Sequence, residues 1–402
     1  MRVLQVTPFF PPAPARGGMA RAAGGLCQAL AGAGHEVTVF TSSTTAASEE
    51  RRGAVRVRRF PGPRWLADRL VPFGRGIEAA IAAEARAFDI AHLHGHRSGI
   101  VRQAAAALRR ARVPWVLQPH GTFPHHGQRR LAKAVWDAAG GMEAVTRARA
   151  LLALSDAEAR DLPAPAVVVG SGVRSPSSRW GGTSAISQGA SLPPTPPTGP
   201  SPAGVGERPP DRLTAGPGPR PRLLFVGSDA PQKRGRALVD LLRALPEADL
   251  DLVGPIGARF LAGFGALAAR VTVHGVLEDD ALATVLEGAD LLLHPAVGEA
   301  FGMVPFEASL AGTGAVVAGG HGCGEWFARA GGCVVPPDDP ERLLRETRRR
   351  IADPALGRAE AAAVASFAGR ELTWAQAAAR VSAVYDTVAG DRATAPRAAL
   401  AG

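Results

Sequence analysis

The 402 residues suffice for two domains with cores of their own, and 46% hydrophobic against 20% charged content marks a globular chain. No 18-residue uncharged apolar run occurs, which argues against a membrane-spanning helix. A net charge of +10 suits anionic partners, but aromatics at 5% and no basic stripe with stacking residues argue against nucleic-acid binding. Of the 46 basic residues only Lys133 and Lys233 are lysines, and Cys27, Cys323 and Cys333 fall in no metal spacing. Such scattered cysteines, with Pro11-Pro12-Ala13-Pro14 where a signal peptide would place its apolar core, point to a reduced, cytoplasmic protein. Arg109-Arg110-Ala111-Arg112 and Arg64-Trp65-Leu66 permit peripheral contact with the inner face of a membrane, although a solvated charged face accounts for either.

Strand-like and helix-like runs alternate through residues 1–173. Arg2–Thr7 is an apolar strand, and a Pro-rich loop then reaches Arg16-Gly17-Gly18, which opens a helix over Met19–Ala31. His35–Thr41 is the next strand, and Ala54–Phe60, alternating with polar residues, is a third nearer an edge. Ile77–Ala87 reads as helix, Asp89–His94 as strand, Val101–Ala111 as helix and Val113–Pro119 as strand. Leu131–Ala139 and Ala144–Ala148 are helical, and Ala150–Leu154 and Ala166–Val169 are short strands. This alternation implies right-handed βαβ units in a parallel sheet with helices on both faces, a Rossmann-like domain.

Residues 174–221 hold 12 prolines and 8 glycines among Ser and Thr, and read as a linker that stays disordered. The alternation restarts with the strand Arg222–Gly227, the helix Arg236–Leu245 and the strand Asp249–Val253. Phe260–Ala269 is helical, Val271–Gly275 a strand and Asp279–Glu287 a helix. The strand Leu291–His294 leads into a Gly-containing turn and the helix Phe306–Ala311. Strand Ala315–Ala318, a Gly-rich loop from Gly319 to Gly324, strand Cys333–Val335 and helices Glu341–Ile351 and Ala359–Ala368 complete a second Rossmann-like domain over 222–370. Residues 371–402 hold an amphipathic helix, Trp374–Val388, and a tail. The fold expected is therefore α/β, two Rossmann-like domains facing across a cleft, with ligand at the carboxyl ends of both sheets.

The segment Gly298-Glu299-Ala300-Phe301-Gly302-Met303-Val304-Pro305-Phe306-Glu307 is the richest in chemistry. A strand, a tight turn and a helix start bring backbone N–H groups to a polar ligand, and Glu299 and Glu307 bracket the turn with seven residues between them. Neither has a Lys or Arg at helical pairing distance in sequence. Gly227-Ser228-Asp229-Ala230-Pro231-Gln232-Lys233-Arg234-Gly235 joins a strand to a helix start and suits an anion, through the helix dipole and two cations. Lys233 puts a compact ammonium where this chain otherwise uses Arg. Gly17 and Gly18 allow backbone to approach a phosphate or sugar, and equally make a plain turn. His92, His94 and His96 alternate along a strand with no carboxylate or thiol to complete a metal set. His120 follows another strand, where it either meets ligand or caps a carbonyl; Ser155 and Glu158 form a helix-capping arrangement.

The Glu299-to-Glu307 segment resembles the E-x7-E signature of the family 4 retaining glycosyltransferases, enzymes of the GT-B fold. That resemblance covers nearly the whole chain outside 174–221. It implies a hexosyltransferase that moves a sugar from a nucleotide sugar to a glycan, a lipid-linked sugar or a small metabolite, with retention and without metal or other cofactor. It also implies roles for residues: Glu299 at the donor sugar's hydroxyls with the Phe301–Gly302 backbone, and Glu307 at the ribose. Gly227, Lys233 and Arg234 would meet the diphosphate, although Ser228 stands where the family often has Arg. Gly17 and Gly18 would face the donor from the first domain, His120 the transferred sugar, and Asp89-Ile90-Ala91-His92-Leu93-His94 would border the acceptor cleft. The Trp374 helix would pack back on the first domain. Asp249-Leu250-Asp251 is formally D-x-D, the metal motif of the other large glycosyltransferase fold, but begins a strand. The alternatives are a nucleotide-sugar epimerase of the same fold and a catalytically inactive donor-binding paralogue.

Overall fold

The computed structural model describes residues 1–12, 17–63, 72–123, 130–174 and 220–394. Most of the inferred linker, Arg64-Trp65-Leu66, Arg16 and the end of the tail lie outside the described residues.

The first half runs β1 (Arg2–Thr7), α1 (Gly17–Gly32), β2 (Glu36–Ser43), β3 (Ser48–Arg52), β4 (Val55–Pro61), α2 (Ile77–Glu84), β5 (Ile90–His94) and α3 (Gly99–Ala111). It continues with β6 (Trp115–Gln118), α4 (Arg130–Trp136), α5 (Glu143–Thr146), β7 (Ala150–Ala153), α6 (Asp156–Asp161) and β8 (Ala166–Val168). Its eight strands lie in the order β3-β4-β2-β1-β5-β6-β7-β8. All pairings are parallel except β3 with β4. The second half runs β9 (Arg222–Val226), α7 (Arg236–Ala244), β10 (Asp249–Val253), α8 (Ala258–Ala262), β11 (Val271–Gly275), α9 (Asp279–Gly288) and β12 (Leu291–His294). Then come α10 (Val304–Leu310), β13 (Gly314–Ala318), α11 (Gly322–Arg329), β14 (Cys333–Val335), α12 (Pro340–Ala352), α13 (Pro354–Glu371) and α14 (Trp374–Thr394). Its six strands, ordered β11-β10-β9-β12-β13-β14, are all parallel.

In each sheet the first strand lies inside, with the next strands added to one side and the later ones to the other. Loops after neighbouring strands therefore diverge at β1/β5 and at β9/β12, opening a crevice at each carboxyl edge. The two halves each bury apolar strand residues against helices on both faces.

Four details depart from the sequence reading. The antiparallel edge strand β3 is Ser-Glu-Glu-Arg-Arg and has no apolar alternation; its Glu49 and Glu50 pair with Arg56 and Arg59 of β4 at 2.7 and 3.0 Å. The helix expected over Leu131–Ala139 gives way to a π-turn at Asp137–Gly141, where Gly140 takes φ 89°. Phe260–Ala269 splits into α8 and a 3-10 segment, Gly265–Arg270, at Gly263. The loop read from Gly319 to Gly324 is already helix α11 from Gly322. A Cβ on Gly322 would lie 1.9 Å from the Ala300 carbonyl and 2.2 Å from Ser155 Oγ, so the glycine serves close packing between the halves.

Helix α14 leaves the second half and packs on α1 of the first, its Ala378, Val381, Tyr385 and Val388 entering the core around Val3, Leu26 and Leu30. Trp374, at its start, is seated between Gly25 and Gly172: a Cβ on either would come within 2.3 and 2.2 Å of the indole. Gly25→Ala is thus expected to destabilise the protein by about 1–3 kcal/mol, the usual cost of overpacking. Urea unfolding measures it, and an unchanged midpoint would show that the indole is not held between these glycines.

Candidate functional site

The second sheet's crevice forms between the loops after β9 and β12. Val297 N–H donates to the Gln232 carbonyl at 2.8 Å, fastening one loop to the other. The Lys233 ammonium consequently reaches Glu299 Oε1 in an ion pair whose side chains are only 22% and 20% exposed. Burial alone would raise the Glu299 pKa, but the Lys233 charge beside it outweighs burial and holds the carboxyl below its ordinary value. Neither residue has its partner nearby in sequence, so the pairing is tertiary.

Gly227 follows β9 and donates its N–H to the Val253 carbonyl at 2.9 Å. Arg234 has φ 51° and carries its guanidinium to the Pro337 carbonyl and to Asp338 Oδ1 at 3.1 Å. Lys233, not Arg234, is therefore the cation paired with the signature carboxylate. Phe301 is buried and stacks with Phe306 at 5.5 Å between ring centroids, so its ring belongs to the core and its backbone faces the turn. Gly302 is hemmed in: a Cβ there would meet Cys323 Sγ at 2.7 Å.

Two buried histidines beside the pair escaped the sequence reading as site residues. His294 ends β12, and burial, with the Lys233 charge, pushes its pKa down to about 3. His321 precedes α11 and bonds the Ala296 carbonyl through Nε2 at 2.8 Å. Among the described residues His294 Nε2 and His321 Nδ1 have no partner. A histidine at the carboxyl end of a strand next to the signature was the available signal.

The first half approaches the signature from two places. Gly18, in the first turn of α1, has its Cβ direction 3.6 Å from Met303 Cε. One helical turn along, Arg21 bonds Glu307 Oε1 at 2.5 Å. Glu307 is 3% exposed, and its other oxygen has no partner among the described residues. Further round the sheet, His120 and Gly121 follow β6 with φ of 55° and 72°. A Cβ on Gly121 would sit 3.0 Å from Ala300 Cβ, so this turn abuts the signature turn itself.

Glu158 holds that turn in place. The Ser155 hydroxyl caps α6 by accepting from Glu158 N–H at 3.1 Å. The Glu158 carboxylate accepts from Leu154 N–H at 2.7 Å and from Gly121 N–H. Burial raises its pKa against the lowering effect of these two donors. The capping spacing was legible in sequence; its grip on Gly121, 37 residues away, was not. His120 Nε2 lies 2.8 Å from His94 Nδ1, and burial lowers the His120 pKa to about 4. His92 and His94 stack at 4.2 Å between centroids, while His96 Nδ1 bonds the Thr122 hydroxyl at 3.0 Å. In the D-x-D run, Asp249 pairs with Arg220 at 3.1 Å, and Asp251 with Arg222 at 2.7 Å and His274 at 2.9 Å.

The sequence-predicted residues thus fall into three clusters. Gly227, Lys233, Glu299 and the Phe301–Gly302 backbone meet at the second sheet's crevice. Gly17 and Gly18 lie at the start of α1, next to Glu307 through Arg21. His120 reaches the signature turn through Gly121 and Ala300, while Arg234 turns aside.

Residues 17–171 match the family described as "Glycosyl transferase 4-like domain", and residues 220–353 match "Glycosyl transferases group 1". Phosphatidyl-myo-inositol mannosyltransferase of Mycobacterium tuberculosis is 33% identical over 183 residues, 42% of this chain and 48% of that protein. The match therefore spans about half the length of that relative. D-inositol 3-phosphate glycosyltransferase of Xylanimonas cellulosilytica is 29% identical over 386 residues, 90% of this chain and 89% of its own. Sucrose-phosphate synthase of Thermosynechococcus elongatus superposes with a TM-score of 0.73 at 18% identity, covering 97% of this chain and 100% of that one. That likeness fixes the fold as GT-B, two α/β units with parallel sheets.

The buried histidines give a pH dependence with a definite sign. In the unfolded chain a histidine takes up a proton below about pH 6.5. The folded His120 does so only near 4, and His92 and His294 near 3. Their stability contribution is present above the unfolded value and is lost as pH falls toward the folded ones, on the order of 2 kcal/mol per ring by pH 5. Denaturant unfolding at pH 7.5 and pH 5 is expected to show a marked loss at pH 5. Equal stability at both would mean that these rings are not held neutral.

Proposed function

This chain belongs to the glycosyltransferases whose 4-like and group 1 domains it carries, and from that premise we propose that it transfers a hexose from a nucleotide sugar with retention of configuration. The observation that supports this reading best is the Lys233–Glu299 pair at the second sheet's switch point, with the His120–Gly121 turn directly across from it. A cation and a carboxylate held together on one side of a crevice can bind the two unlike ends of a donor. Lys233 takes the diphosphate, helped by the positive end of α7, which begins after Gly235 with no side-chain cap. Glu299 accepts from sugar hydroxyls beside the Phe301–Gly302 backbone. The unpartnered oxygen of Glu307 accepts from the ribose while Arg21 keeps the other.

On bond breaking, negative charge grows on the departing diphosphate, where Lys233 and the helix start stabilise it. Charge compensation is thereby assigned to the protein's own groups, with no metal and no further cofactor. Asp249 and Asp251 are committed to Arg220, Arg222 and His274, in keeping with that assignment. Gly17–Gly18 and His120 complete the site from the first half, and exclusion of water protects the donor from hydrolysis. The acceptor is a glycan, a lipid-linked sugar or a small polyol; both curated relatives are named for inositol-bearing acceptors. A lipid-linked acceptor would bring the protein to the cytoplasmic membrane face without crossing it. No helix among the described residues is long and apolar enough to cross a membrane.

Calorimetry with UDP-, GDP- and dTDP-sugars is expected to show selective binding of one nucleotide, weakened roughly 10- to 100-fold in Lys233→Ala by loss of one charge-assisted contact. Glu299→Ala is expected to lower the transfer rate at saturating donor, with the anomer of the product read by NMR. Unchanged affinity in Lys233→Ala would remove the diphosphate assignment. Selective binding without turnover on any acceptor would leave a donor-binding protein, and turnover of donor alone an epimerase.

A further inference from the structure

A line of buried polar groups runs from the cleft through the first sheet to the C-terminal helix. It comprises His120 after β6, His94 and His92 in β5, Gln5 in β1 and Tyr385 in α14. His120 Nε2 lies 2.8 Å from His94 Nδ1, and His94 Nε2 lies 2.7 Å from Gln5 Oε1. Gln5 Nε2 donates to the Tyr385 hydroxyl at 3.0 Å, and that hydroxyl lies 2.7 Å from His92 Nδ1. Gln5, His92, His94 and Tyr385 are each 0% exposed. Tyr385 is the chain's one tyrosine, and a phenylalanine would fill the same space, so the hydroxyl is distinguished by its bonds.

Every member of the line is neutral at pH 7. Burial holds the histidines below their ordinary values and the tyrosine well above its own. A neutral imidazole has one donor nitrogen and one acceptor nitrogen, so the direction of one bond fixes the next. Gln5 turns its oxygen to His94 and its NH2 to Tyr385. His94 Nε2 must then donate, leaving Nδ1 to accept from His120 Nε2–H. The Tyr385 hydroxyl accepts from Gln5, and its bond to His92 Nδ1 runs in either direction, because a phenol oxygen can accept twice. At the cleft end His120 is left with a lone pair on Nδ1, which has no partner among the described residues. Reversing the His94–Gln5 link requires turning the Gln5 amide over and reversing the His94–His120 link with it.

We propose that Gln5 and Tyr385 are positioning residues for sugar transfer: through His94 they hold His120 in its Nε2–H tautomer and present Nδ1 to a hydroxyl of the transferred sugar. This rests on the reading of His120 as the residue that meets that sugar. It gives α14 a part in the chemistry through the Tyr385 hydroxyl.

The test is a long-range 15N–1H correlation spectrum of histidine-labelled, ligand-free protein, with His120 assigned from His120→Gln. The expected result is a His120 ring protonated at Nε2 and bare at Nδ1. In Tyr385→Phe the Gln5 amide loses its acceptor, the His94 and His120 signals shift to tautomeric averages, and kcat falls about tenfold with donor KM changed less than about twofold. A wild-type His120 protonated at Nδ1 overturns the proposal. So do ring signals and kcat that stay at wild-type values in both Tyr385→Phe and Gln5→Met. Should either variant fail to fold, the wild-type spectrum still decides. Because the spectrum needs no donor, the expected tautomer together with no transfer to any acceptor would indict the functional reading alone.

Discussion

The Lys233–Glu299 pair is the interaction around which the site is arranged. It exists because β9 and β12 are neighbours at the centre of a parallel sheet, and their following loops leave toward opposite faces. The bond from Val297 N–H to the Gln232 carbonyl then clamps those loops together. A half-buried ammonium and carboxylate so placed satisfy each other in the unliganded protein. In the proposed donor site, part of that contact would be exchanged for a diphosphate and for hydroxyl groups, with little rearrangement.

Neutral imidazoles line the His120 side of the cleft. His92, His94 and His120 are kept uncharged by burial, and their hydrogen bonds close on Gln5 and Tyr385. Among the described residues, the Lys233–Glu299 and Arg21–Glu307 pairs bring charge to the signature segment. In the proposed function, a donor with an anionic end and a polyhydroxyl end would be oriented by these charges before any specific contact is made.

Contacts between the halves hold the two walls in register. Trp326 Nε1 donates to the Leu154 carbonyl at 2.8 Å, and Glu325 accepts from Ala157 N–H at 2.8 Å and pairs with Arg160. These contacts fall on the segment whose Glu158 fixes the His120–Gly121 turn. The inter-half seam and the support of the His120–Gly121 turn therefore share one short stretch, Leu154 to Arg160. Movement of one half on the other would be felt at His120 through the Glu158 carboxylate.

Strands such as Asp249–Val253, Val271–Gly275 and Leu291–His294 were legible because apolar runs of that length between helix-like stretches allow few readings. The signature carboxylates were legible as well, because a strand–turn–helix with bracketing glutamates is a local pattern. The edge strand β3 was not, since its pairing is made of surface charges and carries no periodic apolar signal. Nor was the start of α11, where glycine at Gly322 reads as loop but answers a steric demand from Ala300 and Ser155. By itself the sequence determined two parallel-sheet units and the kinds of side chain at their carboxyl edges. Only the tertiary structure decided that Lys233 pairs with Glu299, that Arg234 turns to Asp338, and that Tyr385 reaches His120 through Gln5 and His94. The physical reason is that each of these is a contact between residues distant in sequence, set by strand order and loop direction, which no local pattern of residues encodes.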